Sequence, residues 1–307
     1  MQGWRVDMED AHVVEISMSS DPPFKNWSFY AVFDGHAGSK AAHHSAEHLL
    51  KTLLATKEFS QKLNETGGVL SSKTLKLLEE GIKSGFLTMD EKMKEKSETG
   101  KSGTTAICAI VTPTHIVLAN LGDSRAILSR KGKEPFGTED HKPYLPKERT
   151  RIVNAGGSVM IQRVNGSLAV SRAFGDFEYK ADPELDPTKQ LISPEPDVYT
   201  LKRDSEKDEF LLLACDGVYD VMNNDELCEF VQSRLRVTDD LPNVANQVLD
   251  ACLSKGSRDN MTIILVCFEA APKVDENCVQ QEEAWRKGIM DTITKELTVS
   301  IRSRHLE

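Results

Sequence analysis

The chain has 307 residues, 39% hydrophobic and 28% charged, which excludes a disordered or low-complexity polymer and suits one large domain or a domain with a small appendage. A net charge of −10 disfavours nucleic acid as the main partner, and no apolar run approaches the roughly 20 residues that a bilayer span requires. Six cysteines stand singly, several inside apolar runs and none in a CxxC pair, which argues against structural zinc and against a disulfide framework.

In chain order, the opening MQGWRVDMED has neither the basic start nor the apolar stretch of a secretory leader. Gln2 stands where N-myristoylation needs glycine, so a cytoplasmic or nuclear protein is expected. Apolar, β-branched runs at 27–33 (WSFYAVF), 104–111 (TTAICAIV), 115–121 (HIVLANL), 210–215 (FLLLAC) and 261–268 (MTIILVCF) predict strands, most of them buried. Helical patterns fall between them at 39–55 behind a Ser39 cap, and at 73–96, 145–155, 224–235 and 240–254. Only short turns separate the runs 104–111 and 115–129, so antiparallel neighbours are expected, with helices packed outside the sheets. Residues 176–197 (DFEYKADPELDPTKQLISPEPD) read as an exposed loop of the kind that governs access to a site. From about 273, Trp285, Ile289, Ile293, Leu297 and Ile301 recur four apart, predicting an amphipathic helix that docks on the domain.

The acids carry the chemistry. Three predicted strands run into an aspartate beside a glycine, at Phe33-Asp34-Gly35-His36, Leu121-Gly122-Asp123-Ser124 and Cys215-Asp216-Gly217, and Asp259 stands just before the strand at 261. Any one Asp-Gly reads equally well as a turn. Four acids at strand ends are a different matter, because desolvating an unpaired carboxylate costs several kcal/mol. No set of lysines and arginines is spread among them, so oxygen-loving divalent cations, Mg²⁺ or Mn²⁺, are the expected counter-charge. Glu9 and Asp10 add an acidic pair behind Arg5, whose planar guanidinium matches phosphate oxygens.

RVDMEDA (5–11), VFDGHAG (32–38), SGTTA (102–106), NLGDSRA (120–126), AGGSVMIQRVNGSLAVSRAFGDF (155–177), ACDGVYDV (214–221) and SRDNMT (257–262) follow one another as the ordered motifs of a known family. By them the chain resembles the metal-dependent protein serine/threonine phosphatases of type 2C, and QGWRVDMEDAH and the helical tail make it most similar to the animal alpha/beta branch. The resemblance implies an α+β fold: a central β-sandwich of two antiparallel sheets flanked by helices on both faces, the catalytic domain spanning 1–270 and a short helical extension 271–307. It implies that Asp34 bridges two cations, with the Gly35 carbonyl and Glu9 on one and Asp216 and Asp259 on the other. Asp10 is then placed to hold metal-bound water, Arg5 to grip the substrate phosphate, and His36 to act as general acid toward the leaving alkoxide. Asp123, Asp216 and Asp220 match the positions of a weaker third cation. The reaction implied is direct attack on phosphoserine or phosphothreonine of protein substrates by a metal-bridging water or hydroxide, in a monomeric enzyme.

Two other signals are set aside. Gly100-Lys101-Ser102 ends like a phosphate-binding loop, but Glu95 replaces the glycine that motif requires, and position 218 is Val218 where an aspartyl-nucleophile hydrolase wants a second acid. One departure from the family pattern stands out: relatives carry a strand ahead of the first motif, whereas Met1 lies only four residues before Arg5. That spacing leads to the expectation that Arg5 and Glu9 are poorly anchored, and so to a rival reading, a catalytically impaired form that binds phosphoproteins without turning them over.

Overall fold

The computed structural model describes residues 1–63, 69–96 and 99–304, with the backbone alone at 62, 96 and 296–304. One sheet has the order Ala11–Glu15, Ser28–Phe33, Ala106–Val111, His115–Leu121, Asp197–Lys202, every neighbouring pair antiparallel. The second has the order Ile263–Cys267, Asp208–Ala214, Arg125–Arg130, Phe136–Gly137, again antiparallel throughout. Successive side chains on a strand point to opposite faces, and here both faces are covered. Ile107, Ala109 and Val111 point inward with Leu118, Leu211 and Leu213 to form the layer between the sheets. Ala106, Cys108 and Ile110 point outward against the helices Lys40–Ala55 and Ser72–Lys96. On the other side Phe210, Leu212 and Ala214 meet Leu227, Val231 and Val248 of the helices Asn224–Leu235 and Leu241–Ser254. Burial on two faces is why these strands read as unbroken apolar runs rather than as alternating ones.

The helix boundaries fall within a residue of those expected, and local chemistry fixes several of them. Asn223 and Glu226 form a reciprocal capping box at the start of Asn224–Leu235, with bonds of 2.9 and 3.1 Å. Asp240 accepts from the Asn243 N–H at 3.1 Å, so it is a side-chain cap as well as a charge on the helix dipole. Ser39 does occupy the cap position of Lys40–Ala55, but its side chain makes no cap bond; the Ala41 N–H is satisfied by Ser102 Oγ at 3.1 Å. Ala11–Glu15 and Asp197–Lys202 escaped the pattern search because they are the two edges of the first sheet, each with half-exposed polar positions.

The tail corrects an expectation. Glu276–Arg304 is one helix, held at its start by Arg234 to Glu282 at 3.0 Å and by the Asp275 N–H to the Arg236 carbonyl at 2.8 Å. Beyond that base it does not dock: Trp285, Ile289 and Ile293 are 62%, 38% and 46% exposed. Trp285, Ile289 and Ile293, four apart, lie within about 80° of one another around the helix, a single stripe that faces solvent rather than the domain. Leu297 and Ile301 lie outside the described side chains. No helix among the described residues is long and apolar enough to cross a membrane.

The inter-sheet layer generates a direct test. Leu213→Ala, in that layer, is expected to cost about 2–5 kcal/mol, read as a lower urea midpoint with an unchanged slope. Val14→Ala, at a position 52% exposed on the sheet edge, is expected to change stability by less than about 0.5 kcal/mol.

Candidate metal centre

Strands from both sheets end on the same side of the sandwich, and the acids that follow them meet there. Asp34 follows Ser28–Phe33, Asp123 follows His115–Leu121, and Asp216 follows Asp208–Ala214. Carboxylate oxygens of Asp34, Asp123 and Asp216 all lie within 4.8 Å of one another. The glycines beside two of these acids are required by close approach rather than by a turn. A Cβ on Gly35 would stand 2.3 Å from the Glu9 carbonyl oxygen, and one on Gly217 would stand 2.1 Å from that of Asn260. Each glycine thus lets a second stretch of backbone cross against the strand end, bringing Glu9 and Asp259 to the rim of the cluster.

A cleft of about 690 Å³ opens over this cluster, lined among others by Arg5, Glu9, Asp34, Gly35, His36, Asp123, Asp216, Asp220 and Asp259. Asp10 is the one site residue of the sequence reading that does not line it. It lies behind Asp34, 5% exposed, with Oδ2 accepting from Thr262 Oγ1 at 2.7 Å and Oδ1 without a partner among the described residues. Burial, and then repulsion from Asp216, Asp10 and Asp123, holds the Asp34 carboxyl well above the usual carboxylate range. Burial, then Asp123 and Asp220, pushes Asp216 up to about 7. Both carboxyls therefore hold a proton more tightly than a free aspartate does when no metal is bound. Asp10 is also raised, by burial above all, and so is Asp220.

Around this core the structure amends the sequence reading. Cations do stand among the acids: Lys142 Nζ is 2.5 Å from Asp123 Oδ2, and Arg5 Nη2 is 2.6 Å from Asp259 Oδ2. Arg5 is therefore not a free guanidinium, although it lines the cleft as expected. Among the described residues no cation pairs with Asp34 or Asp216. The carboxylate triad contains Asp123, which the resemblance gave only to a third cation, while Asp259 and Glu9 sit at the rim. Glu9 Oε1 accepts from the Gly38 N–H at 2.7 Å, and Asp259 Oδ1 accepts from the Asn260 N–H at 2.7 Å.

The expectation that Arg5 and Glu9 are poorly anchored is overturned by Asn260, a residue to which the sequence reading gave no role. Its Oδ1 accepts from the Glu9 N–H at 2.8 Å, and its Nδ2 donates to the carbonyls of Gln2 at 2.8 Å and Asp7 at 3.0 Å. One side chain thus ties the whole opening segment to the strand end at Asp259.

His36 belongs to a three-stranded ribbon, Phe174–Gly175, Gly103–Thr104, Gly35–His36, and its Nε2 lies 2.7 Å from Asp176 Oδ2. Asp176 is buried and takes a left-handed backbone conformation (φ 53°), uncommon for a residue with a side chain. Burial alone would lower the pKa of His36; the hydrogen bond and charge of Asp176 reverse this and raise it. Asp176 lay within the motif AFGDF, but only its pairing across the ribbon reveals what it does.

Three comparisons bear on this centre. The sequence model of the family described as Protein phosphatase 2C matches residues 1–261. Protein phosphatase ppm-1.A of Caenorhabditis elegans is 57% identical over 304 residues, covering 98% of this chain, and the chain spans 65% of that relative's length. Protein phosphatase 1B of Mus musculus is 53% identical over 293 residues, 94% of this chain and 74% of that protein. Protein phosphatase 1A of Bos taurus is 52% identical over 287 residues, 92% of this chain and 73% of that protein. Among solved structures, a phosphatase from a pathogenic strain of Toxoplasma gondii superposes with a TM-score of 0.73 at 29% identity, covering 88% of this chain and 91% of its own. A family match over residues 1–261, joined to relatives more than half identical over the aligned residues, leaves one conclusion: the chain belongs to the protein phosphatase 2C family.

Proposed function

We propose that this chain is a metal-dependent protein serine/threonine phosphatase that hydrolyses phosphoserine and phosphothreonine without a phosphoenzyme. The observation that carries the reading is the triad of carboxylates within 4.8 Å of one another, two of which have no cationic partner among the described residues. The donors fit a pair of hard divalent cations, Mg²⁺ or Mn²⁺: all are oxygens, Asp34 and Asp216 crowd each other without a counter-charge among the described residues, and the buried Asp10 Oδ1 lacks a donor that ordered water would supply. Asp34, Asp216, Asp259, Glu9 and the Gly35 carbonyl would hold the two, with Asp123, Asp216 and Asp220 available to a third. When bound, such a pair supplies Lewis acidity that lowers the pKa of water and neutralises phosphoryl charge.

The chain's own groups do the rest. Arg5 spends only Nη2 on Asp259 in the bonds of the structure, so its remaining donors are available to a phosphoryl oxygen in the same cleft. Asp10 orients water from behind the cluster. His36, with Nε2 fixed on Asp176, has its second ring nitrogen left to deliver a proton to the departing serine or threonine oxygen, and its pKa, raised by Asp176, favours the protonated form. A cytoplasmic or nuclear setting accords with six cysteines that are all free thiols.

Three outcomes follow. Phosphate release from a phosphothreonine peptide is expected to require Mg²⁺ or Mn²⁺ and to be abolished by EDTA and by Asp216→Asn; tight peptide binding with no turnover at any metal concentration contradicts the reading. His36→Gln is expected to slow phosphothreonine peptide turnover by about 10²-fold while leaving p-nitrophenyl phosphate, whose leaving group needs no proton, far less affected. The third concerns pH. With its folded pKa raised from 3.8 to about 7, Asp216 binds a proton that the unfolded chain has already lost, so metal-free stability falls as pH rises through that window. Thermal melts in EDTA should therefore drop between pH 5 and 8, Asp216→Asn should flatten the drop, and Mn²⁺ should raise the wild-type melting temperature more at pH 8 than at pH 6. A melting temperature in EDTA that climbs over this range sinks the assignment of Asp216 to a crowded acid cluster that raises its pKa.

A further inference from the structure

Lys142 is half-buried beside the cleft, with its ammonium against Asp123, the one member of the acid triad that has a cationic partner. It is not a loose rim lysine. The preceding residue, His141, is clamped to the backbone of Gly122: its N–H donates to the Gly122 carbonyl at 2.8 Å, and its Nδ1 accepts from the Gly122 N–H at 3.1 Å. The residue before that, Asp140, holds Arg125 through two bonds of 3.0 Å. The segment carrying Lys142 is thus stapled on either side of Asp123, and the lysine is pre-set toward that carboxylate. The charge of Lys142 is also felt by Asp216 and Asp220. These three acids are the set that the family resemblance gives to a third cation.

We propose that Lys142 is a built-in counter-ion for the third cation position, neutralising Asp123 when no metal is there and swinging away when one enters. The proposal rests on the metal-centre reading above. An ammonium and a divalent cation cannot share the Asp123 oxygens at contact distance without strong repulsion, so occupancy of the third position requires displacement of the lysine. Weak affinity at that position is then a property of Lys142, not of a poor set of oxygen donors. The same contact keeps the third carboxylate of the triad neutralised while only two cations are bound.

Two measurements test this, neither of them an activity assay. In the wild-type protein, acetylation of Lys142 by an amine-reactive reagent, followed by mass spectrometry, is expected to be slow in EDTA and at Mn²⁺ just sufficient for two sites, and to accelerate only as the third site fills. In calorimetric Mn²⁺ titrations, Lys142→Met is expected to tighten the weakest site by about tenfold or more, Lys142→Arg to leave it near wild type, and Asp123→Asn added to Lys142→Met to remove the gain. A labelling rate indifferent to Mn²⁺, or a folded Lys142→Met protein whose weakest site is unchanged or weaker, overturns the proposal while leaving the two-cation reading standing. A wild-type protein that binds no Mn²⁺ at all overturns both.

Discussion

The structure is organised around a repulsion. Asp34, Asp123 and Asp216 come within 4.8 Å of one another at the shared end of two sheets, and among the described residues only one of the three has a cation of its own. Crowding of half-buried carboxylates is costly, and it raises the proton affinity of Asp34 and Asp216. The crowding is imposed by the sandwich itself. Leu121, Phe33 and Ala214 are the last buried residues of strands whose registers are locked by neighbours on both sides, so the residues that follow them have nowhere else to go. Stability contributed by the core layers is what lets a cluster of this kind persist without its metal.

The rim is built to serve that cluster at some distance from it. Asn260 draws the opening segment in, Gly35 and Gly217 let two crossing backbones approach, and the ribbon carrying His36 is pinned from behind by Asp176. The ribbon is tied in turn to the helix Ser72–Lys96, where Asp90 accepts from the Gly175 N–H at 2.8 Å and from Lys180 at 2.8 Å, a buried ion pair that fixes the loop leading away from the site. Placement of the proton donor therefore depends on packing far from the acids themselves.

How much of this was legible in the sequence follows from which contacts are local. Strands such as Ala106–Val111 announce themselves because both of their faces are buried, and the aspartates at their ends are informative for the same reason. The edges Ala11–Glu15 and Asp197–Lys202 carry no such signal, since half of what a strand needs there is backbone pairing. The second tier of the site was illegible on different grounds. Asp176 meets His36 across 140 residues, and Lys142 meets Asp123 from a stretch with no apolar pattern, so neither partnership leaves a trace in spacing. The tail failed in the opposite way: a four-residue repeat builds one apolar stripe, but spacing does not say whether the domain covers it, and Trp285, Ile289 and Ile293 stay in solvent.

Everything at this end of the sandwich depends on divalent cations relieving the repulsion between Asp34 and Asp216. Crystals soaked in Mn²⁺ and measured at the manganese absorption edge test this most directly. Anomalous peaks within coordination distance of both carboxylates are predicted, with a third, weaker peak beside Asp123 only at high metal concentration. A map empty at Asp34 and Asp216 in saturating Mn²⁺ would contradict that dependence.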